Sequence, residues 1–233
     1  MTEVDVSTGC DALDSLLGSG FDRGTVTQLY GPPASGKTNV ALSTAVEVVA
    51  QGGTALYIDT EGLSIDRLEQ ILHARVDDVE EASARVIISE VHDFDEQAEA
   101  VRDAADLAER VDLVVLDSAT GFYRIRRTED QEGGEALRRV ADQVTHLLSL
   151  ARKHDLAVVI TNQVYTDPES EDGRTRPLGG HTLSHWTGSV LRLDRFRGGK
   201  RRATLEKHRS RAEGETAQFE ITGTGIESGS QTP

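Results

Sequence analysis

The segment from Gly31 to Thr38 constrains this chain more than any other feature. It reads Gly-Pro-Pro-Ala-Ser-Gly-Lys-Thr, the GxxxxGK[ST] pattern of a loop between a strand and a helix whose backbone N–H groups surround phosphate oxygens. Glycine suits Gly31 and Gly36 because the backbone must turn sharply and approach the phosphates without a Cβ. Lys37 is expected to reach the β and γ phosphates and Thr38 to hold Mg²⁺. The predicted nucleotide-binding residues of this loop are Gly31, Pro32, Pro33, Ala34, Ser35, Gly36, Lys37 and Thr38.

The flanking sequence has the order that such a loop requires. Residues 25–30 are apolar and β-branched enough for a buried strand, and apolar residues recur at helical spacing over residues 38–50. Gly52 and Gly53 then end the helix. The alternative is a turn that contains the glycines and lysine of this loop by chance, and such a turn would require neither a strand before it nor a helix after it.

Strands and helices alternate along the rest of the chain. The pattern predicts strands at 54–59, 84–89, 111–117 and 156–163, and helices near 65–73, 94–110 and 135–153, with Asp93 as a cap. Three closely spaced strands follow at 189–194, 202–207 and 216–221. We therefore predict an α/β fold with a mostly parallel sheet flanked by helices, and with these three strands added antiparallel at the C-terminal edge.

Length and charge limit the class of protein. The 233 residues suffice for one domain, no apolar stretch approaches the 18 residues of a membrane span, and the N-terminus lacks the basic start of a leader. We expect a cytoplasmic protein without a membrane partner, and Cys10 alone can form no internal disulfide. Acidic residues outnumber basic ones by 40 to 25, and the only lysines are Lys37, Lys153, Lys200 and Lys207. This composition fits a cytoplasm of very high salt, which screens self-repulsion, although an ordinary acidic protein is the alternative.

Three polar residues follow predicted strands at the edge where a nucleotide would bind. Asp117 ends an apolar strand, as expected for a carboxylate that coordinates Mg²⁺ together with Thr38. Glu61 follows another strand and could polarise a water for attack on the γ phosphate, or it could be an acid at a helix entrance. Gln163 ends the next strand, where its amide could sense the γ phosphate or simply face solvent in a turn.

The chain resembles the ATPase core of the RecA-type recombinases over almost its whole length. The shared segments occur in order at residues 31–38, 57–62, 115–124, 158–164 and 177–181. The strand ends Asp-Thr-Glu-Gly and Ile-Thr-Asn-Gln are most similar to the archaeal and eukaryotic branch. A core that starts directly at Ser7, without an N-terminal helix–hairpin–helix domain, resembles the archaeal paralogues of the recombinase, and the lysine-poor acidity suggests a haloarchaeal member.

This resemblance implies roles for the residues already singled out. It implies a RecA-like P-loop NTPase core that binds ATP and Mg²⁺, with Glu61 as the catalytic base, Gln163 as the γ-phosphate sensor and Asp117 as the metal carboxylate. Lys207 and Arg209 match positions from which an adjacent subunit supplies cations to the γ phosphate. The alternative for this pair is an exposed basic strand end.

The resemblance also implies two loops that could hold single-stranded DNA. In the first, the expected contacts are Tyr123, Arg124, Arg126 and Arg127, unless the arginines only pair with nearby acids. The second, residues 166–176, is short and mostly acidic, which is poorly suited to DNA. The core is predicted to span residues 1–233, with a lead-in over 1–24, a flexible loop over 165–180 and a flexible tail over 223–233.

The acidic second loop and the lack of an N-terminal domain differ from the recombinase pattern, and these differences favour one function over three others. We expect an ATP-binding accessory protein of DNA repair and recombination with weak ATPase activity at most, acting beside a RadA-like host recombinase and possessing a potential single-stranded DNA site. The alternatives are a filament-forming, DNA-dependent ATPase, a KaiC-like signalling ATPase and a P-loop kinase. The oligomeric state is left open by the sequence.

Overall fold

The computed structural model describes residues 5–123, 134–166, 175–196 and 199–229. The helices in this part of the chain are α1 (Asp11–Leu17), α2 (Lys37–Ala50), α3 (Ile65–Arg75), α4 (Val79–Ser83), α5 (Phe94–Leu107), α6 (Gly134–His154) and α7 (Gly180–Trp186). The strands are β1 (Thr25–Tyr30), β2 (Ala55–Asp59), β3 (Val86–Glu90), β4 (Leu113–Asp117), β5 (Ala157–Asn162), β6 (Val164–Thr166), β7 (Thr175–Pro177), β8 (Ser189–Arg195), β9 (Arg201–Lys207), β10 (Thr216–Thr222) and β11 (Gly225–Ser228).

The described strands form a nine-stranded sheet in the order β11-β10-β9-β8-β1-β5-β4-β2-β3, with β6 and β7 paired separately. The six strands from β8 to β3 run parallel, whereas β9, β10 and β11 pair antiparallel with their neighbours. The predicted α/β class, with a mostly parallel sheet and antiparallel strands at the C-terminal edge, is therefore confirmed. Strand β1, which leads into the signature loop, lies in the middle of this order.

Apolar side chains on both faces of the sheet explain why its central strands read as continuous hydrophobic runs. One core cluster joins residues of α1, α2 and α3 to the sheet, and a second joins residues of α5 and α6 to the opposite face. Strands β1, β2, β4 and β5 are buried along their whole length, as expected for parallel strands covered on both sides. No helix in the described ranges is long and apolar enough to cross a membrane.

Local signals set the helix starts that the sequence predicted. The Asp93 carboxylate accepts hydrogen bonds from the N–H groups of Asp95 and Glu96, so the predicted cap of α5 is confirmed. Such a cap satisfies N–H groups that have no partner within the helix. The Ser64 side chain caps α3 in the same way.

The structure differs from the sequence prediction at the C-terminal side of the sheet. Strand β8 was expected to be antiparallel, but it pairs parallel with β1, because helix α7 precedes it and returns the chain to the starting edge. Only β9 and the strands after it turn back by hairpins. Residues 225–228, expected in a flexible tail, form β11, whose Ile226 is buried in the core. Helix α1 likewise lies inside the expected lead-in.

Candidate nucleotide site

The loop between β1 and α2 takes a shape that requires its two signature glycines. A Cβ on Gly31 would lie 2.2 Å from the carbonyl oxygen of Leu193 in β8, which no side chain tolerates. Gly36 adopts φ 107°, in the left-handed region that favours glycine, at the residue before α2 begins. Ala34 also has a positive φ, of 61°, which carries backbone strain in a residue with a Cβ. The loop is thus held in a fixed shape above the end of the central strand.

Lys37 folds back over this loop. Its Nζ donates hydrogen bonds to the carbonyl oxygens of Gly31 at 3.0 Å and Pro32 at 3.2 Å. Burial lowers the pKa of Lys37, and the carboxylates of Glu61 and Asp117 oppose that shift. In the same loop, the buried Ser35 hydroxyl has no hydrogen-bond partner among the described residues. A desolvated cation beside an unpartnered hydroxyl suits a ligand that carries charged oxygen atoms.

Asp117 ends β4 with its side chain 2% exposed. The Tyr57 hydroxyl of β2 donates to Oδ2 at 2.7 Å, and the Thr161 hydroxyl of β5 donates to Oδ1. The Thr38 side chain lies close enough to lower the pKa of this carboxylate, so the two residues expected to hold Mg²⁺ are brought together. Burial raises the pKa of Asp117, although these hydrogen bonds act in the opposite direction.

Glu61 and Gln163 contact each other directly across the ends of β2 and β5. Gln163 Nε2 donates to Glu61 Oε1 at 2.7 Å, and the Ser118 hydroxyl donates to the same oxygen at 2.8 Å. The loop that carries Glu61 is fixed by Asp59, whose buried carboxylate accepts from the N–H groups of Glu61, Gly62 and Leu63. Sequence reasoning did not single out Asp59 or Ser118. An aspartate at a strand end before Thr-Glu-Gly was the available signal for the first, because aspartate commonly closes such turns.

A cavity of about 320 Å³ joins these side chains. Of the predicted residues, it is lined by Pro33, Ala34, Gly36, Lys37, Thr38, Glu61 and Gln163. Asn39, Arg201 and Ile221 also line it, and sequence reasoning missed all three. Arg201 and Ile221 come from β9 and β10, and only the order of strands in the sheet brings them to the signature loop. A larger cavity, of about 710 Å³, lies beside α1, β10 and β11 and contains none of these side chains.

Lys207 and Arg209 lie outside this cavity. Lys207 Nζ donates to the carbonyl oxygens of Ser184 and Thr187, each at 2.6 Å, at the C-terminal end of α7. Arg209 Nε pairs with Asp22 at 3.0 Å. Neither residue touches the nucleotide site of its own chain, and a role in an adjacent subunit's site stays a prediction.

The expected DNA contacts are only partly within the described residues. Tyr123 is 5% exposed and belongs to the core cluster beneath α5 and α6, so its ring is not accessible to a base in this structure. Tyr123 was expected to stack on a base, but its ring packs against apolar side chains of the core instead of facing solvent. Arg124, Arg126 and Arg127 lie outside the described residues, as do residues 167–174 of the acidic loop.

Comparisons with known proteins extend over nearly the entire chain. The Rad51 family profile matches residues 1–229. The chain is 68% identical over 228 residues to DNA repair and recombination protein RadB of Halobacterium salinarum, covering 98% of this chain and 97% of the relative. It is 43% identical over 220 residues to RadB of Methanococcoides burtonii, covering 94% and 96% of the two chains. A crystal structure of the RadB recombinase superposes with a TM-score of 0.81 at 41% identity, covering 97% of this chain and 100% of that chain.

Proposed function

Because this chain belongs to the Rad51 family of RecA-like recombination proteins, within its haloarchaeal RadB group, we propose that it is an ATP-binding protein of DNA repair and homologous recombination. The observation that carries this proposal is the cavity in which the signature loop meets Glu61 and Gln163. One chain thus supplies both a phosphate loop and the two polar side chains that the γ phosphate would contact.

The residues present fit ATP with Mg²⁺. The loop leads directly into α2, whose first N–H groups can meet a phosphate, and the unpartnered Ser35 hydroxyl could donate to a phosphate oxygen. Thr38 and Asp117 provide the hydroxyl and the carboxylate oxygens that Mg²⁺ prefers. When bound, the metal would neutralise part of the phosphate charge, and Lys37 would supply the cation of the chain itself.

We expect any ATP hydrolysis by the isolated chain to be weak. Gln163 and Ser118 both donate to the carboxylate oxygen Oε1 of Glu61, so an attacking water would have to compete with two protein donors for this oxygen. Lys207 and Arg209, the cations that the family resemblance assigns to catalysis between subunits, are engaged elsewhere in their own chain. A γ phosphate in the isolated chain would therefore be faced by Lys37 and by fewer cations than in an assembled site.

An accessory role beside a RadA-like host recombinase fits these features best. Recombination is the process named for the similar RadB proteins. The formal charge of −15 disfavours general attraction to nucleic acid, so single-stranded DNA would have to be held by a local basic patch such as the predicted Arg124, Arg126 and Arg127. Partner protein and DNA are thus both proposed ligands.

The second candidate function is a filament-forming, DNA-dependent ATPase. The observation that favours it is the complete set of Thr38, Asp117, Glu61 and Gln163 at one edge of the sheet. This candidate requires hydrolysis to accelerate strongly when single-stranded DNA assembles the subunits. The accessory role requires little or no acceleration.

The experiment compares the purified chain and the Lys37→Ala variant in molar KCl. Calorimetry with ATP and Mg²⁺ should give binding for the parent only, and phosphate release should stay low with and without single-stranded DNA. Immobilised parent protein should retain the purified host recombinase. Absence of ATP binding by the parent contradicts the proposal, whereas brisk DNA-stimulated turnover replaces it with the second candidate.

A further inference from the structure

The side chain of Arg201 covers the signature loop from the far side of β8. Arg201 begins β9, which is separated from β1 by β8 in the sheet. A Cβ placed on Gly36 would lie 3.1 Å from Arg201 Cδ and 3.3 Å from its Nε. The ring of Phe219 in β10 lies 3.3 Å from the same point. The stem of Arg201 therefore packs directly against the glycine that precedes the first residue of α2.

Arg201 has no carboxylate partner among the described residues. Its Nη1 donates to the carbonyl oxygen of Gly199 at 2.6 Å, while its Nε is buried without a hydrogen-bond partner. Burial lowers the pKa of Arg201, and the nearby positive charge of Arg195 lowers it further. An unneutralised guanidinium with a buried, unused donor favours an anionic ligand.

Two neighbouring arginines on the same strands are neutralised. Arg192 in β8 pairs with Asp194 and Glu206 at 3.1 and 3.2 Å. Arg202 lies 3.8 Å from Asp194 and 4.8 Å from the ring centroid of Phe196. Arg202 Nε is also buried without a hydrogen-bond partner, but of these three arginines only Arg201 lacks a carboxylate within 4 Å among the described residues.

Two groups of polar side chains line the cavity from different elements. Glu61 and Gln163 meet across the ends of β2 and β5, whereas Arg201 comes from β9 and packs over Gly36. Gln163 lies beside Glu61, and Ile221 contributes an apolar side chain to the cavity along with Arg201. If the γ phosphate faces Glu61 and Gln163, a cation placed over Gly36 faces the phosphates nearer the ribose.

We infer that Arg201 is a further nucleotide-binding residue, which contacts the non-terminal phosphates of a nucleoside di- or triphosphate. The inference rests on the proposed function, because it assumes that the cavity binds ATP. Its consequence is that ADP and ATP gain equally from Arg201. A residue beside Glu61 and Gln163 would instead favour ATP.

The test measures ADP and ATP affinity by calorimetry with Mg²⁺ in molar KCl for the parent and for Arg201→Met, which keeps an apolar stem over Gly36. Loss of a charge-assisted hydrogen bond should weaken both nucleotides by the same factor, about 10- to 100-fold. Arg201→Lys should recover part of the affinity. Arg202→Ala is the matched control, because it removes the adjacent cation of the same strand without touching the cavity.

Two outcomes would overturn the inference while leaving the proposed function intact. One is parental affinity of Arg201→Met for both nucleotides, and the other is a loss confined to ATP. Failure of the parent itself to bind ATP would instead contradict the proposed function. Thermal unfolding of each variant verifies that it is folded, and Arg201→Gln replaces Arg201→Met if the latter is not.

Discussion

At the scale of single residues, Lys37 is the group on which nucleotide binding should depend most. Its Nζ already lies among loop carbonyls, so it is positioned for phosphates before any ligand arrives. Lys37→Ala should reduce ATP affinity at least about 100-fold, because a charge-assisted contact in a partly dry site is lost. Calorimetry measures the loss. The exposed Lys153→Ala is the control, and parental affinity in the Lys37 variant would contradict the assignment.

Glu61 should affect hydrolysis without affecting binding. A glutamine at this position keeps an oxygen that can accept from Ser118 and Gln163, but it cannot accept a proton. Glu61→Gln should therefore retain ATP affinity and lose about 10²- to 10⁴-fold of whatever turnover the parent has. Phosphate release under saturating ATP checks this, with the exposed Glu69→Gln as control. Unchanged turnover would make Glu61 only an acid at a helix entrance.

Tyr57 is a buried residue whose importance the sequence did not reveal. Its hydroxyl donates to Asp117 from the neighbouring strand and orients the carboxylate that faces Thr38. Tyr57→Phe should lower the free energy of unfolding by about 1–3 kcal/mol, because a hydrogen bond to a buried charged group is lost. Chemical denaturation measures this change. Tyr165→Phe, a hydroxyl outside the site, is the control, and equal stability of both variants would contradict the role of Tyr57.

At the scale of secondary-structure elements, the end of α7 depends on a side chain from β9. Lys207 donates to two carbonyl groups at the C-terminal end of this seven-residue helix, which leads into β8. Lys207→Met keeps the apolar stem but leaves both carbonyls without this donor. The free energy of unfolding should fall by about 1–3 kcal/mol.

Denaturation at low protein concentration separates this structural role from a role between subunits. Lys153→Met, on the exposed face of α6, provides a matched lysine substitution with no expected effect. If Lys207→Met is as stable as the parent, the contact with α7 contributes little. Lys207 would then be free to act in an adjacent subunit.

At the scale of the whole molecule, acidic charge should make folding depend on salt. The formal charge is −15, and like charges across the surface destabilise the compact state unless ions screen them. The screening length falls from about 10 Å at 0.1 M salt to about 3 Å at 1 M. The free energy of unfolding should therefore rise from 0.1 M to 1 M salt. For a chain of this size, each kcal/mol gained raises the unfolding temperature by about 2–4 °C.

Thermal unfolding in a KCl series measures this dependence. A sucrose series is the control, since sucrose favours compact states without screening charge. Equal stabilisation by sucrose and KCl would show that screening is not the cause. A protein equally stable at 0.1 M KCl would contradict the halophilic interpretation of its composition.

The sequence by itself determined the features whose cause is local. Strand β1 spans residues 25–30 as predicted, because its apolar run and the glycine that follows belong to one short segment. Helix α5 begins after Asp93 because the cap and its N–H donors are neighbours in the chain. The α/β class followed from the alternation of such segments, and the edge of the sheet that carries Glu61, Asp117 and Gln163 followed from their places at strand ends.

Only the tertiary structure decided the contacts between segments distant in sequence. Arg201 reaches Gly36 because β8 and then β9 follow β1 in the order of the sheet, and local sequence patterns do not predict that order. Tyr123 is buried because it packs in the core cluster with residues of α5 and α6, although three arginines follow it within four positions of the sequence. Lys207 meets the end of α7 for the same reason. Pairing of strands is a cooperative property of the whole sheet, so the sequence specifies it only through the sum of many nonlocal contacts.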